Sequence, residues 1–320
     1  MVSTHASGYS QRRQDRTEIS GEVLKFGNNW TLGVNNHFQE MIEPLQAENN
    51  AKLSTTVKVE KSLKYGDDER HRIDLYSSVS WANHNQADQL PVVVYIHGGG
   101  FVSGDTDVTP SMHGNIGYYF AAHGCLGVLV TYRLVPKASF PQGAEDVVGI
   151  IAWLVQNAHR WGGDPSRIHL VGQSAGGAHL ATALFTGLLN DWKKYIGGIV
   201  LQSVPLWYNL TLEARRQIME QYHRTDRHEE IKSKTGVSLF ENITKEEVED
   251  WPPVLLMLAE FDPDEIVDGN LRFVEAFREK TQRLPLLEVM KGHNHVSYSL
   301  GIGLPENTIG ARLLAFVFDK

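Results

Sequence analysis

Short apolar runs alternate with longer segments of helical spacing through most of this chain. The runs are Val92–Ile96, Leu126–Thr131, Ile168–Gly172, Gly198–Gln202, Val254–Ala259 and Pro285–Met290. They are rich in Val, Ile and Leu and nearly continuous, the pattern of parallel strands covered on both faces. Between them, segments near Ser111–His123, Ala144–Trp161, Ala175–Asn190, Val267–Thr281 and Glu306–Phe318 repeat apolar residues at helical intervals. This alternation predicts an α/β fold with a mostly parallel central sheet, right-handed crossovers and helices on both faces. Upstream, Thr56–Leu63 and Arg70–Tyr76 flank Lys64-Tyr65-Gly66-Asp67-Asp68-Glu69, whose turn chemistry predicts a hairpin. Residues 1–50 are polar, with short helical patches such as Asn36–Ile42. Between Ser203 and Pro252 the rhythm breaks into charged helical stretches, Glu213–His223 and Lys245–Glu249. An excursion that long inside a compact sheet domain is usually a functional insertion.

Composition narrows the picture. At 320 residues and 42% hydrophobic, the chain can bury a large core as one domain with insertions. A net charge of −8 argues against nucleic acid or an anionic membrane as partner. Arg12, Arg13 and Arg16 cluster among polar residues and read as a solvated start. No apolar stretch is long enough for a transmembrane segment. The sole cysteine, Cys125, excludes an internal disulfide and reads as a buried packing residue. The start Met1-Val2-Ser3-Thr4-His5 lacks a hydrophobic signal region, so a cytoplasmic, reducing location is expected.

The chemistry centres on Gly172-Gln173-Ser174-Ala175-Gly176. This G-x-S-x-G string follows a strand-like run and precedes a helix-like one, the context of a nucleophile elbow. A serine hydroxyl needs a base to take its proton and donors for the oxyanion it generates. His97-Gly98-Gly99-Gly100-Phe101 follows the strand Val92–Ile96 and leaves backbone N–H groups unshielded. Gly99, Gly100 and Ala175 are the expected donors. In the chain order Ser, Asp, His, the acid should follow a late strand. Asp262 lies just past Val254–Ala259, with Asp264 and Asp268 nearby; Asp268 reads as the cap of the next helix. The base should follow Pro285–Met290, where His293 and His295 both stand. His97 reads as a brace for its loop and His179 as a packed residue. No pair of histidines has metal spacing with carboxylates or thiols, so neither metal nor other cofactor is expected.

At this point the chain resembles a known family. His97–Phe101 continues as Val102-Ser103-Gly104-Asp105. Thr131-Tyr132-Arg133-Leu134-Val135-Pro136 leads to Phe140-Pro141 and Glu145-Asp146, and Trp161-Gly162-Gly163-Asp164-Pro165-Ser166-Arg167-Ile168 leads into the elbow. In that order these blocks resemble the hormone-sensitive-lipase-type esterases of the α/β-hydrolase superfamily, from Val92 to the C-terminus. The resemblance implies an α/β-hydrolase fold and a carboxylesterase-like serine hydrolase acting on a small-molecule ester. It matches Asp262-Pro263 to the family's Asp-Pro, and its Gly-x-x-His spacing selects His295, leaving His293 as a pocket neighbour. It also implies a helical cap made of residues 1–50 and the insertion 205–250, folded over the serine. Phe101, Trp207, Tyr208 and His293 are the expected substrate-binding residues. A homodimer is compatible with the sequence.

The family pattern is broken in places. Its members usually carry Asp or Glu before the serine, where this chain has Gln173. Ala178-His179-Leu180-Ala181, and Tyr65-Gly66 with Ile73-Asp74-Leu75-Tyr76, are similar to carboxylesterase-like and arylformamidase-like relatives. An arylformamidase-like amide or formamide hydrolase, or a lactonase, is therefore the alternative within enzymes. A small-molecule receptor on the same scaffold is the alternative outside them, opposed by the intact glycines and His295.

Overall fold

The computed structural model describes residues 19–83 and 89–319. The cluster Arg12, Arg13 and Arg16 lies outside them, as does most of the loop before the first parallel strand. Helix α1 (19–26) and helix α2 (Leu32–Leu53) precede the hairpin β1 (Val57–Lys64) and β2 (Arg72–Ser78). The alternation then runs β3 (Leu90–Ile96), α3 (Gly114–Ala122), β4 (Leu126–Val130), α4 (Gln142–Asn157), β5 (Gly163–Gln173), α5 (Ala175–Phe185) and β6 (Ile196–Gln202). Four short helices follow: α6 (Glu213–His223), α7 (His228–Ser233), α8 (Gly236–Glu241) and α9 (Lys245–Glu249). The chain closes with β7 (Val254–Phe261), α10 (Asp264–Thr281), β8 (Leu286–Asn294), α11 (Ser297–Leu300) and α12 (Ile309–Phe318).

The strands form one eight-stranded sheet in the order β1-β2-β4-β3-β5-β6-β7-β8. β1 and β2 pair antiparallel, β2 joins β4 antiparallel, and the remaining neighbours are parallel. All six expected parallel strands and the hairpin are present. Alternate residues feed opposite faces, as strand pleating requires. Val92, Val94, Ile96, Leu170 and Leu201 pack with α4, α5 and α10 on one face; Val93, Tyr95, Val171, Val200 and Met257 pack with α3 and α12 on the other. Buried Cys125 belongs to this second core.

Two elements differ from expectation. α2 runs for 22 residues where only short patches are visible in the sequence. Its buried stripe is Val34, Phe38, Ile42, Gln46 and Asn50, one residue every four. The last two are polar, so the apolar period fades after Ile42 although the helix continues past Pro44. The Gln46 amide donates to the carbonyls of Leu300 and Ile302, and the Asn50 amide donates to that of Ser111. These bonds offset the burial of polar groups. Asp268 does not cap α10. The helix begins at Asp264 behind Pro263, which puts Asp268 in its second turn.

Candidate active site

The carboxyl ends of the parallel strands carry the site, because there each strand hands the chain to a loop that overhangs the sheet. β5 ends at Gln173 and α5 starts at Ala175, leaving one residue for the turn. That residue, Ser174, has φ 50° and ψ −120°, a conformation that side chains other than glycine rarely adopt. The turn closes because strand and helix nearly touch: a Cβ on Gly172 would lie 2.6 Å from the Gly177 Cα. The Ser174 N–H donates to the Gln202 carbonyl at 2.9 Å, fixing the elbow to β6.

β7 delivers Asp262 and β8 delivers His295. The carboxylate of buried Asp262 accepts from the Ser203 hydroxyl and from the Ala259 N–H, each at 2.7 Å. Its other oxygen lies 2.7 Å from His295 Nδ1, and His295 Nε2 lies 3.0 Å from Ser174 Oγ. A carboxylate only accepts, so Nδ1 carries the ring proton and the Nε2 lone pair faces the serine hydroxyl. Just before His295, Asn294 Oδ1 accepts from the N–H groups of Val296 and Ser297, which turns the chain sharply into α11.

The glycine loop after β3 runs beside the elbow. Gly99 has φ +134°, and a Cβ there would lie 2.0 Å from the Ser103 carbonyl oxygen, so only glycine fits. The Gly99 carbonyl accepts from the N–H groups of Val102 and Ser103, which curls the loop. Among the described residues, the N–H groups of Gly99, Gly100 and Ala175 have no acceptor, whereas that of Gly98 donates to Gln173 Oε1 at 2.8 Å. The ring of His97 stacks on Tyr132 at 4.5 Å between centroids, and its Nδ1 lies 2.6 Å from the Gly98 carbonyl. The Tyr132 hydroxyl donates back to the His97 carbonyl at 2.8 Å. Burial, helped by neighbouring His113 and Arg70, pushes the His97 imidazole down to about 3, so it braces the loop as a neutral ring. His179 is likewise buried, with Nδ1 3.2 Å from the Tyr222 hydroxyl.

The four expected pocket residues do not stand together. Phe101 and Tyr208 do, with ring centroids 6.2 Å apart, and Tyr222 of α6 lies 4.8 Å from Phe101. Trp207 instead packs under the Arg272 guanidinium, 4.4 Å from its ring. His293 meets Ser297 Oγ at 3.1 Å and lines a groove of about 710 Å³ with Ile42, Asn49 and Leu304, a lining that does not include Ser174. Two residues that sequence reasoning missed adjoin the three central ones. Ser203, itself at φ 50°, holds the Asp262 carboxylate, and Trp30 sets its indole edge-to-face on the His295 ring at 5.7 Å. Ser203 had one usable signal, its place directly after a strand end; Trp30 had none beyond lying in the N-terminal segment.

Among the described residues no cluster of His, Cys, Asp or Glu is arranged to hold a metal, and no helix is long and apolar enough to cross a membrane. Residues 93–299 match the family model described as alpha/beta hydrolase fold. The chain is 39% identical over 126 residues to carboxylesterase NlhH of Mycobacterium tuberculosis, covering 39% of this chain and 36% of that one. It is 29% identical over 196 residues to an acetyl esterase of Salmonella schwarzengrund, covering 56% of this chain and 57% of the other. The match thus spans between about a third and three-fifths of these relatives' own length. Among solved structures, esterase B from Lactobacillus rhamnosis superposes with a TM-score of 0.66 at 16% identity, over 88% of this chain and 96% of that one. Esterase Est22 does so with a TM-score of 0.66 at 19% identity, over 94% and 92%. With the matched residues spanning most of the sheet together with the glycine loop, Ser174, Asp262 and His295, the chain belongs to the alpha/beta hydrolase fold family.

Proposed function

We propose that this protein is a serine hydrolase that cleaves small-molecule carboxylic esters through an acyl-enzyme intermediate. The observation that carries the reading is the unbroken chain from Ser174 Oγ to His295 at 3.0 Å and from His295 to Asp262 at 2.7 Å, beside three N–H groups without an acceptor among the described residues. Similarity to a carboxylesterase and an acetyl esterase supports the ester as substrate.

In this reading Ser174 Oγ attacks the ester carbonyl carbon while its proton passes to His295 Nε2. Asp262 holds the tautomer and stabilises the imidazolium. Negative charge gathers on the former carbonyl oxygen, where the N–H groups of Gly99, Gly100 and Ala175 receive it. Removing one such donor typically costs about 3–4 kcal/mol of barrier. The intermediate collapses, the alkoxide leaves and takes the proton from His295. Water then attacks the acyl-serine by the same route in reverse, releasing the acid and restoring Ser174. The N-terminal helices and the β6–β7 excursion act as the cap. Trp30 against His295 and Tyr222 against Phe101 support that assignment.

The test is Ser174→Ala, assayed on p-nitrophenyl esters of graded acyl length and with a fluorophosphonate label. The expected outcome is loss of both turnover and labelling. Persistence of either in the purified variant would overturn the assignment.

A further inference from the structure

Gln173, where related esterases usually carry a carboxylate, is the last residue of β5 and is buried. Its amide sits between the two loops that must be aligned for the proposed chemistry. Oε1 accepts from the Gly98 N–H at 2.8 Å and from the Tyr95 hydroxyl at 3.4 Å. Nε2 reaches the His295 carbonyl at 3.5 Å, the outer limit of a hydrogen bond. The amide has one workable orientation. A backbone N–H can only donate and a carbonyl can only accept, so the oxygen faces Gly98 and the nitrogen faces His295.

We infer that Gln173 is a positioning residue that couples the oxyanion loop to the base loop, and that a neutral amide is required because it must accept on one side and donate on the other. The inference rests on the esterase reading and deepens it. A carboxylate would still accept from Gly98, but it would set an oxygen against the His295 carbonyl oxygen. It would also add a buried negative charge beside the imidazole. Asp262 and Ser174 face the His295 ring, and the hydroxyls of Tyr95 and Tyr298 lie by the amide. Burial raises both phenols, so they stay neutral, and Asp262 is the acidic side chain that meets the base among these groups.

The test uses the full chain and two variants. Gln173→Leu removes all three bonds at similar volume; Gln173→Glu keeps the acceptor and loses the donor. With p-nitrophenyl acetate as probe, Gln173→Leu should lower kcat on the order of 100-fold with KM changed by less than about twofold, the scale of a misaligned reacting group. Gln173→Glu should lose about tenfold and move the acid limb of the kcat/KM profile to higher pH, because a neighbouring carboxylate favours the imidazolium. The downfield proton NMR signal of His295 Nδ1–H should broaden or shift in both variants, a readout that needs no turnover. Leu at wild-type kcat, or Glu indistinguishable from wild type in rate, pH profile and proton signal, overturns the inference. So does failure of both variants to fold, which would make the amide structural. A wild-type protein that hydrolyses no ester refutes the esterase reading instead, and the proton signal still decides the role of Gln173.

Discussion

The rim of the sheet above β5, β7 and β8 and the excursion between β6 and β7 meet at Phe101, yet they are built by different means. On the rim, backbone geometry dictates residue identity. Ser174 sits at φ 50°, Gly99 at φ +134°, and a Cβ at Gly172 would strike α5. In the excursion, four short helices are held by side chains that other residues of similar size and polarity replace at modest cost. Phe240 of α8 packs against Phe185, Phe273, Phe277 and Trp251, while the pair Lys245–Glu249 lies on the surface. The difference predicts that rim substitutions cost rate and excursion substitutions cost stability.

The largest expected departure is on the rim. Asp262→Asn replaces an acceptor with an amide that favours the wrong imidazole tautomer, and kcat for ester hydrolysis should fall about 10⁴-fold with the fold intact. A loss below tenfold in steady-state assays would mean that the carboxylate does not orient the base. Next comes the excursion. Phe240→Ala empties a fully buried aromatic site and should cost about 3–5 kcal/mol in urea unfolding. Its folded fraction should turn over ester within a few-fold of wild type; a dead but stable variant would erase the contrast between the regions.

The smallest effect is a pH dependence of stability carried by the excursion. Burial pushes the His223 imidazole of α6 down to about 4, aided by nearby Lys234, whereas an unfolded histidine titrates near 6.5. Below that pH the unfolded chain binds the proton and the native ring does not. The contribution of His223 is therefore whole well above pH 6.5 and declines as pH falls toward 4, by about 1 kcal/mol at pH 5.5. Among the described residues neither ring nitrogen of His223 has a hydrogen-bond partner, so His223→Phe should lessen the slope, to which other buried histidines such as His97 and His179 also contribute, without removing a bond. Urea midpoints measured from pH 7 to 5 check it; an unchanged slope would show that the ring is not held neutral. His97, pushed down to about 3, carries the same dependence for the rim to lower pH.

The two regions were also unequally legible in the sequence. The rim was readable because strained or crowded backbone admits few residue types. The glycines of His97–Phe101 and Gly172–Gly177 therefore mark position as well as identity. Asp262 and His295 were readable from their places after late strands together with family spacing. The excursion was readable only as an interruption, since packed aromatics such as Phe240 have no fixed spacing and Trp207 gave no sign that it would face Arg272. α2 was hidden for a third reason. Gln46 and Asn50 sit on its buried face, where periodicity looks for apolar residues. Ser203 and Trp30 escaped because their roles come from tertiary approach alone.

The sheet order has a bearing on how the protein comes into being. Ser174 and His295 are 121 residues apart in the chain, and the base arrives on β8, the last strand and one edge of the sheet. Contacts of such long sequence separation are slow to form, because the intervening chain must order before they are rewarded. During synthesis the elbow, the glycine loop and most of the sheet emerge before the base does. On the proposed mechanism, the nascent chain presents Ser174 on its elbow before its base is available, and the chain from Ser174 through His295 to Asp262 closes only when β8 docks on β7.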